Sequence, residues 1–287
     1  MIMDWLFAPF TGNAFMLNAL MAGVLVSIAC GIVGTFVVLR GLAFIGDALA
    51  HGVLPGVAIA MLMGLPGMLG AAVGALGMIF GIGFITRRSN LSSDTAIGLL
   101  FVGMLALGVA IVSRSHAFSG DLVRILFGEI LGIRTSELVT QLAATVVIAA
   151  LAVICHRPFL LLCFSPEQAE VSGFPPRRYH AIMLALIALT VVVSFRTVGT
   201  LLVFGMLLAP AASAALFSRK ITTMILTASG IGAGSVYLGL LASYHFNLAA
   251  GAAITLAASI VFFLLLWVRQ LLPASPARPR MAQGARP

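Results

Sequence analysis

Apolar runs of about twenty residues follow one another along almost the whole chain, separated by short polar or Gly/Pro-rich punctuation. Such runs are long enough to cross a bilayer as helices, and nine can be drawn. The expected spans are 14–39, 44–63, 68–85, 95–112, 137–155, 181–195, 201–217, 221–244 and 248–268. The tight Gly64-Leu65-Pro66-Gly67 turn joins the second to the third, and the polar segment 86–94 separates the third from the fourth. Residues 113–136 mix Arg114, His116, Asp121, Arg124, Glu129 and Arg134 with apolar neighbours. Charges at that density suit an interfacial or re-entrant helix better than a full crossing. The alternation of a membrane β-barrel is absent, so the expected fold is an all-α, polytopic integral membrane bundle of about nine transmembrane helices. Residues 1–13 form a short extracytoplasmic N-terminus, 14–269 the membrane domain, and 270–287 a basic Pro/Ala/Arg-rich tail expected to be disordered.

Composition agrees with this pattern. Of 287 residues, 61% are hydrophobic and 8% charged, against about a quarter charged in an ordinary soluble domain. The net charge of +8 is spread over short loops, so it reports membrane orientation and does not point to nucleic acid. With the N-terminus outside and the C-terminus in the cytoplasm, twelve of the 16 Lys and Arg residues fall on the inner side. Arg114, Arg124, Arg134 and Arg196 fall outside. No positive n-region precedes the first apolar run, so no cleaved leader is expected. Cys30, Cys155 and Cys163 form no CxxC pair and read as small apolar fillers.

The second span holds the one carboxylate placed well inside a crossing, Asp47, with His51 four residues later and Pro55 four further on. A carboxylate at the bilayer centre costs about 2.5–3.5 kcal/mol on insertion scales, so it faces protein or a wet cavity. Four-residue spacing puts Asp47 and His51 on one helix face. Pro55 has no N–H for the carbonyl of residue 51, leaving an oxygen beside the imidazole and a kink in the helix. Pro210, in the seventh span, is a second kink position. Oxygen and imidazole nitrogen suit zinc, manganese or ferrous iron better than copper(I). One chain offers two such side chains, and two copies about a two-fold axis would offer four. The same pair also reads as a structural hydrogen bond or as a proton relay. Cys155-His156 reads as a membrane anchor more than a metal site, and His116 and His245 as solvated loop residues on the outer side or as residues that hand a cation in from a donor.

The longest inner loop, 156–180, carries a bracketed short helix. Ser165 is its N-cap, Pro166 its first residue, Gln168 its third, and Gly173 followed by Pro175 its stop. A capped helix that cannot cross lipid suits docking on a soluble partner, or serves as a plain connector. No GxxxxGK[ST] occurs, since the single lysine, Lys220, follows Arg219. No HExxH or GxSxG occurs either, which disfavours an intramembrane hydrolase.

The run LRGLAFIGDALAHGVLPG at 39–56 closely resembles the signature of the metal-type ABC permeases, the membrane subunits of bacterial zinc, manganese and iron importers. Leu126-Phe127-Gly128, the 170–173 loop, 198–203 and 207–212 extend the resemblance to about 14–269. It implies a homodimeric permease in the bacterial inner membrane, two cytoplasmic ATPases, and an extracytoplasmic metal-binding protein. It also implies Asp47 and His51 as the transient metal path. Pro166, Glu167, Gln168, Ala169, Glu170, Val171, Ser172 and Gly173 become the coupling helix that seats in the ATPase. No cofactor is held stably, and ATP acts only through the partner. Zinc is favoured as the transported ion, with manganese next. The rivals are a proton-coupled carrier and an importer of a metal chelate or vitamin. The basic tail is not part of the resemblance.

Overall fold

A backbone surrounded by hydrocarbon can satisfy its own N–H and C=O groups only by closing them into helices or a barrel. The computed structural model describes residues 2–89, 92–113 and 130–271, and no strand occurs among them. The helices are α1 (Ile2–Gly12), α2 (Ala14–Leu39), α3 (Ala43–Gly52), α4 (Leu54–Leu62), α5 (Gly67–Arg88), α6 (Ser93–Ser113), α7 (Thr135–Ile154), α8 (His156–Phe164), α9 (Pro166–Val171), α10 (Pro176–Phe217), α11 (Ile221–Phe246) and α12 (Ala250–Leu271). Eight described segments are long and apolar enough to cross a membrane, α3 and α4 together making one of them.

The ninth crossing is hidden inside α10. Its backbone leaves helical geometry at Gly199, with φ 78° and ψ 165°, a region that a residue with a Cβ rarely enters. Before that point His180 meets Arg40 at the end of α2. After it, Leu207 and Ala211 pack at Gly34, near that same end. The chain therefore travels away from the Arg40 end along Pro176–Phe195 and returns along the shorter apolar helix Leu202–Phe217. Among the described residues, the eight span-length segments and this shorter helix make nine, as the hydropathy pattern predicts. Pro210 lies buried in the returning half.

The core is built around α2, which packs against α7, α8, α10 and α11. Phe36 of α2 meets Phe159 of α8 edge-on, with ring centroids 5.3 Å apart. Two helices lie outside the expected pattern. α1 occupies the stretch read as a plain N-terminal segment, and α8 occupies part of the inner loop. Both are too short to span hydrocarbon, so span-length hydropathy does not register them. A short 3-10 turn, Ile130–Gly132, leads into α7. Residues 114–129, most of the expected interfacial segment, lie outside the described residues, as does the tail beyond 271.

Lipid is as apolar as leucine, so membrane helices associate through close packing more than through exclusion from solvent. The second and third spans meet backbone to backbone. A Cβ built on Gly56 would run into the Gly70 carbonyl, and one on Gly70 into the Gly56 carbonyl. Gly56→Ala is therefore expected to cost about 1–3 kcal/mol through overpacking. It should lower the thermal unfolding midpoint of the purified protein. Gly77→Ala, whose added carbon meets nothing within 4 Å, should not lower it.

Candidate functional site

The turn at Arg40 and Gly41 reverses the chain from α2 into α3, which carries both polar residues of the second span. α3 stops at Gly52, Val53 forms the joint, and α4 restarts with Pro55 in its first turn. Val53 N–H still reaches the Leu49 carbonyl at 3.2 Å, and Val57 N–H reaches Val53 at 3.0 Å. The hydrogen-bond ladder of the span is thus interrupted beside His51. Pro55 causes the interruption, because it brings no N–H to the turn below.

Asp47 and His51 are brought together as their spacing predicts. His51 Nε2 lies 3.4 Å from Asp47 Oδ1, and the two side chains are 23% and 29% exposed. Neither is sealed in the core. At 3.4 Å the contact is long for a hydrogen bond. His51 Nδ1, by contrast, is buried with no hydrogen-bond partner among the described residues. The Phe101 ring on α6 stands edge-on to the imidazole, with centroids 5.7 Å apart and planes at 65°. Behind the pair, Leu207 closes on Gly46 and Met78 on Gly52. Among the described residues no three His, Cys, Asp or Glu side chains gather as a metal cluster. The pair therefore offers one oxygen and one nitrogen, and an ion held there needs further ligands.

The second expected feature sits at the Arg40 end. Ser165 Oγ accepts the Gln168 N–H at 3.3 Å, Pro166 opens α9, and Gly173 ends it with φ 82°. Ala169 is buried and fastens the helix, while Pro166, Glu167, Gln168, Glu170, Val171, Ser172 and Gly173 are exposed. Val171, at 90% exposure, points an apolar side chain away from the protein. Phe164, just before the cap, is also exposed. The result is a fixed knob with an unpartnered apolar tip.

Arg40 is a loop charge and part of the 39–56 run, and its partner is invisible in the sequence. In the structure its Nη1 donates to His180 Nδ1 at 3.4 Å, tying the start of α10 to the turn that leads into α3. Burial lowers the pKa of this guanidinium. The neighbouring Cys163 thiol is pushed up by burial to about 11, although Arg40 pulls it back. Cys155 is buried at the end of α7, and burial raises its thiol as well. His245 stacks on Trp5 with centroids 4.1 Å apart, and its Nε2 lies 3.1 Å from the Trp5 carbonyl, which joins α11 to α1. His116 lies outside the described residues. Phe101 left no mark in the sequence, because it sits in a uniformly apolar run.

The profile of the ABC 3 transport family matches residues 13–269. A curated relative, the manganese transport system membrane protein MntC of Listeria innocua, is 41% identical over 250 residues, covering 87% of this chain and 89% of that one. The manganese import system permease protein ScaB of Streptococcus gordonii is 37% identical over 248 residues, covering 86% and 89%. Among solved structures, PsaBC from Streptococcus pneumoniae in complex with Fab superposes with a TM-score of 0.82 at 36% identity, covering 93% of this chain and 95% of that one.

Replacing Ser165 with Ala removes the oxygen that caps α9, which is worth about 1 kcal/mol. Amide exchange over 167–169 is expected to quicken roughly fivefold, while the global unfolding midpoint stays nearly unchanged.

Proposed function

Because the chain belongs to the ABC 3 transport family, and is a metal-type ABC transporter membrane subunit, we propose that it forms the path of an ATP-driven divalent-metal importer in the bacterial inner membrane, with Asp47 and His51 as transient ligands. The observation that carries this reading is the pair itself: a carboxylate and an imidazole 3.4 Å apart, partly exposed, on a broken crossing helix. Such a pair is unfavourable facing lipid and costs little when it faces an aqueous path. The ion is substrate and not a resident group. It must bind well enough to enter and loosely enough to leave. Two side chains on an interrupted helix fit that need.

The missing ligands come from a second copy of the chain, with water completing the shell, so the path lies along the two-fold axis of a homodimer. The positive-inside count places the N-terminus outside and the Arg40 end in the cytoplasm. There α9, with Pro166 to Gly173, seats in a separate ATPase. An extracytoplasmic metal-binding protein delivers the ion at the opposite face. Closure of the ATPases on ATP pushes α9, and the push reaches α10 and, through His180 and Arg40, the turn into α3. Manganese is the first candidate ion, since relatives covering most of this chain are named as manganese systems. The oxygen and nitrogen pair accepts zinc as well.

The test is uptake of radioactive manganese and zinc into proteoliposomes holding this chain, its ATPase and its binding protein. Uptake should require ATP. Asp47→Ala and His51→Ala should each lower it at least about tenfold, the scale carried even by groups that only support a ligand. Wild-type uptake by either correctly inserted variant would contradict the assignment.

A further inference from the structure

We propose that Phe101 is the positioning residue that sets the His51 imidazole for the ion and so tunes the affinity of the path. The inference rests on the reading of Asp47 and His51 as ligands and names what holds them in register. Free rotation about the last side-chain bond of a histidine interchanges the positions of its nitrogens and carbons. Only one setting puts Nε2 toward Asp47, and that setting leaves Nδ1 buried with no hydrogen-bond partner among the described residues. An unpartnered buried nitrogen is unfavourable, so an unrestrained ring would turn to satisfy it. Something must oppose that turn.

Phe101 is the side chain placed to do so. Its ring stands edge-on to the imidazole at 5.7 Å, inside the range of about 4.5–7 Å where aromatic pairs attract. It is half-buried against the core, not loose at the surface. The helix that carries it also bridges the break in the metal span. Seven residues after Phe101, on the same face of α6, Gly108 receives Leu54 and Pro55, where an added Cβ would stand 3.2 Å from Leu54 Cβ. α6 thus touches α3 at His51 and α4 just past the break. It acts as a splint that touches the imidazole on one side of the joint and Leu54 and Pro55 on the other. Within α3, Asp47 meets the ring at Nε2, and Phe101 meets it from α6.

A residue with this role changes how well the ion is held more than how fast the loaded transporter turns. In the proteoliposome assay, Phe101→Leu keeps apolar bulk but removes the ring. It is expected to raise the manganese concentration for half-maximal uptake about tenfold, with the maximal rate within about twofold of wild type. Phe101→Tyr keeps the ring and should restore the wild-type value. If Phe101→Leu does not assemble with its ATPase, Phe101→Met serves as the same probe. An unchanged half-maximal concentration while His51→Ala loses uptake would overturn the role of Phe101 and leave the ligands standing. A fall in maximal rate alone, without the shift, would also overturn it, by marking Phe101 as a packing residue. Wild-type uptake by His51→Ala would remove the reading beneath the inference.

Discussion

Helices dissolved in lipid gain nothing by leaving water a second time, so the bundle depends on how closely its backbones can approach. Glycine makes that approach possible at the joints that matter. Gly56 and Gly70 let the second and third spans touch carbonyl to backbone, and Gly34 lets α2 touch the returning half of α10 at Leu207. With α4 clamped by α5 and α3 braced by α6 and Leu207, the break at Val53 can be tolerated. A half-helix with an unfinished hydrogen-bond ladder would otherwise be unstable in hydrocarbon.

That tolerated break gives Asp47 and His51 their setting. A carboxylate facing lipid would meet its full cost, whereas here both side chains are partly exposed and His51 Nδ1 is buried against protein. In the proposed mechanism the same architecture carries force. α9 is a rigid knob on the Arg40 end, anchored by Ala169 and rooted through α8, where Phe159 packs on Phe36 of α2. The contact from His180 to Arg40 reaches the turn that opens α3. A displacement at the knob has a short route to the ligands, through packed side chains that have little room to absorb it.

The crossings were legible in the sequence because hydrocarbon thickness sets a length that hydropathy can count. Asp47 and His51 were legible because ionisable side chains are costly, and therefore conspicuous, inside an apolar run. The α9 cap was legible because Ser, Pro and Gly have narrow positional roles at helix ends. What escaped were features that carry no compositional mark. α1 and α8 are apolar but short. The Gly199 reversal looks like any glycine until its φ is known. Phe101 is one phenylalanine among 19, and only its place across from His51 singles it out. Arg40 read as a topology charge until its contact with His180 was seen.

In the proposed mechanism the transported ion passes through the Asp47 and His51 pair. The most direct measurement is anomalous scattering from manganese in crystals of the assembled transporter trapped with the ion in transit. A peak within about 2.0–2.3 Å of both Asp47 Oδ1 and His51 Nε2 is the predicted result. An ion held elsewhere along the path, with Asp47 and His51 still facing only each other, would contradict it.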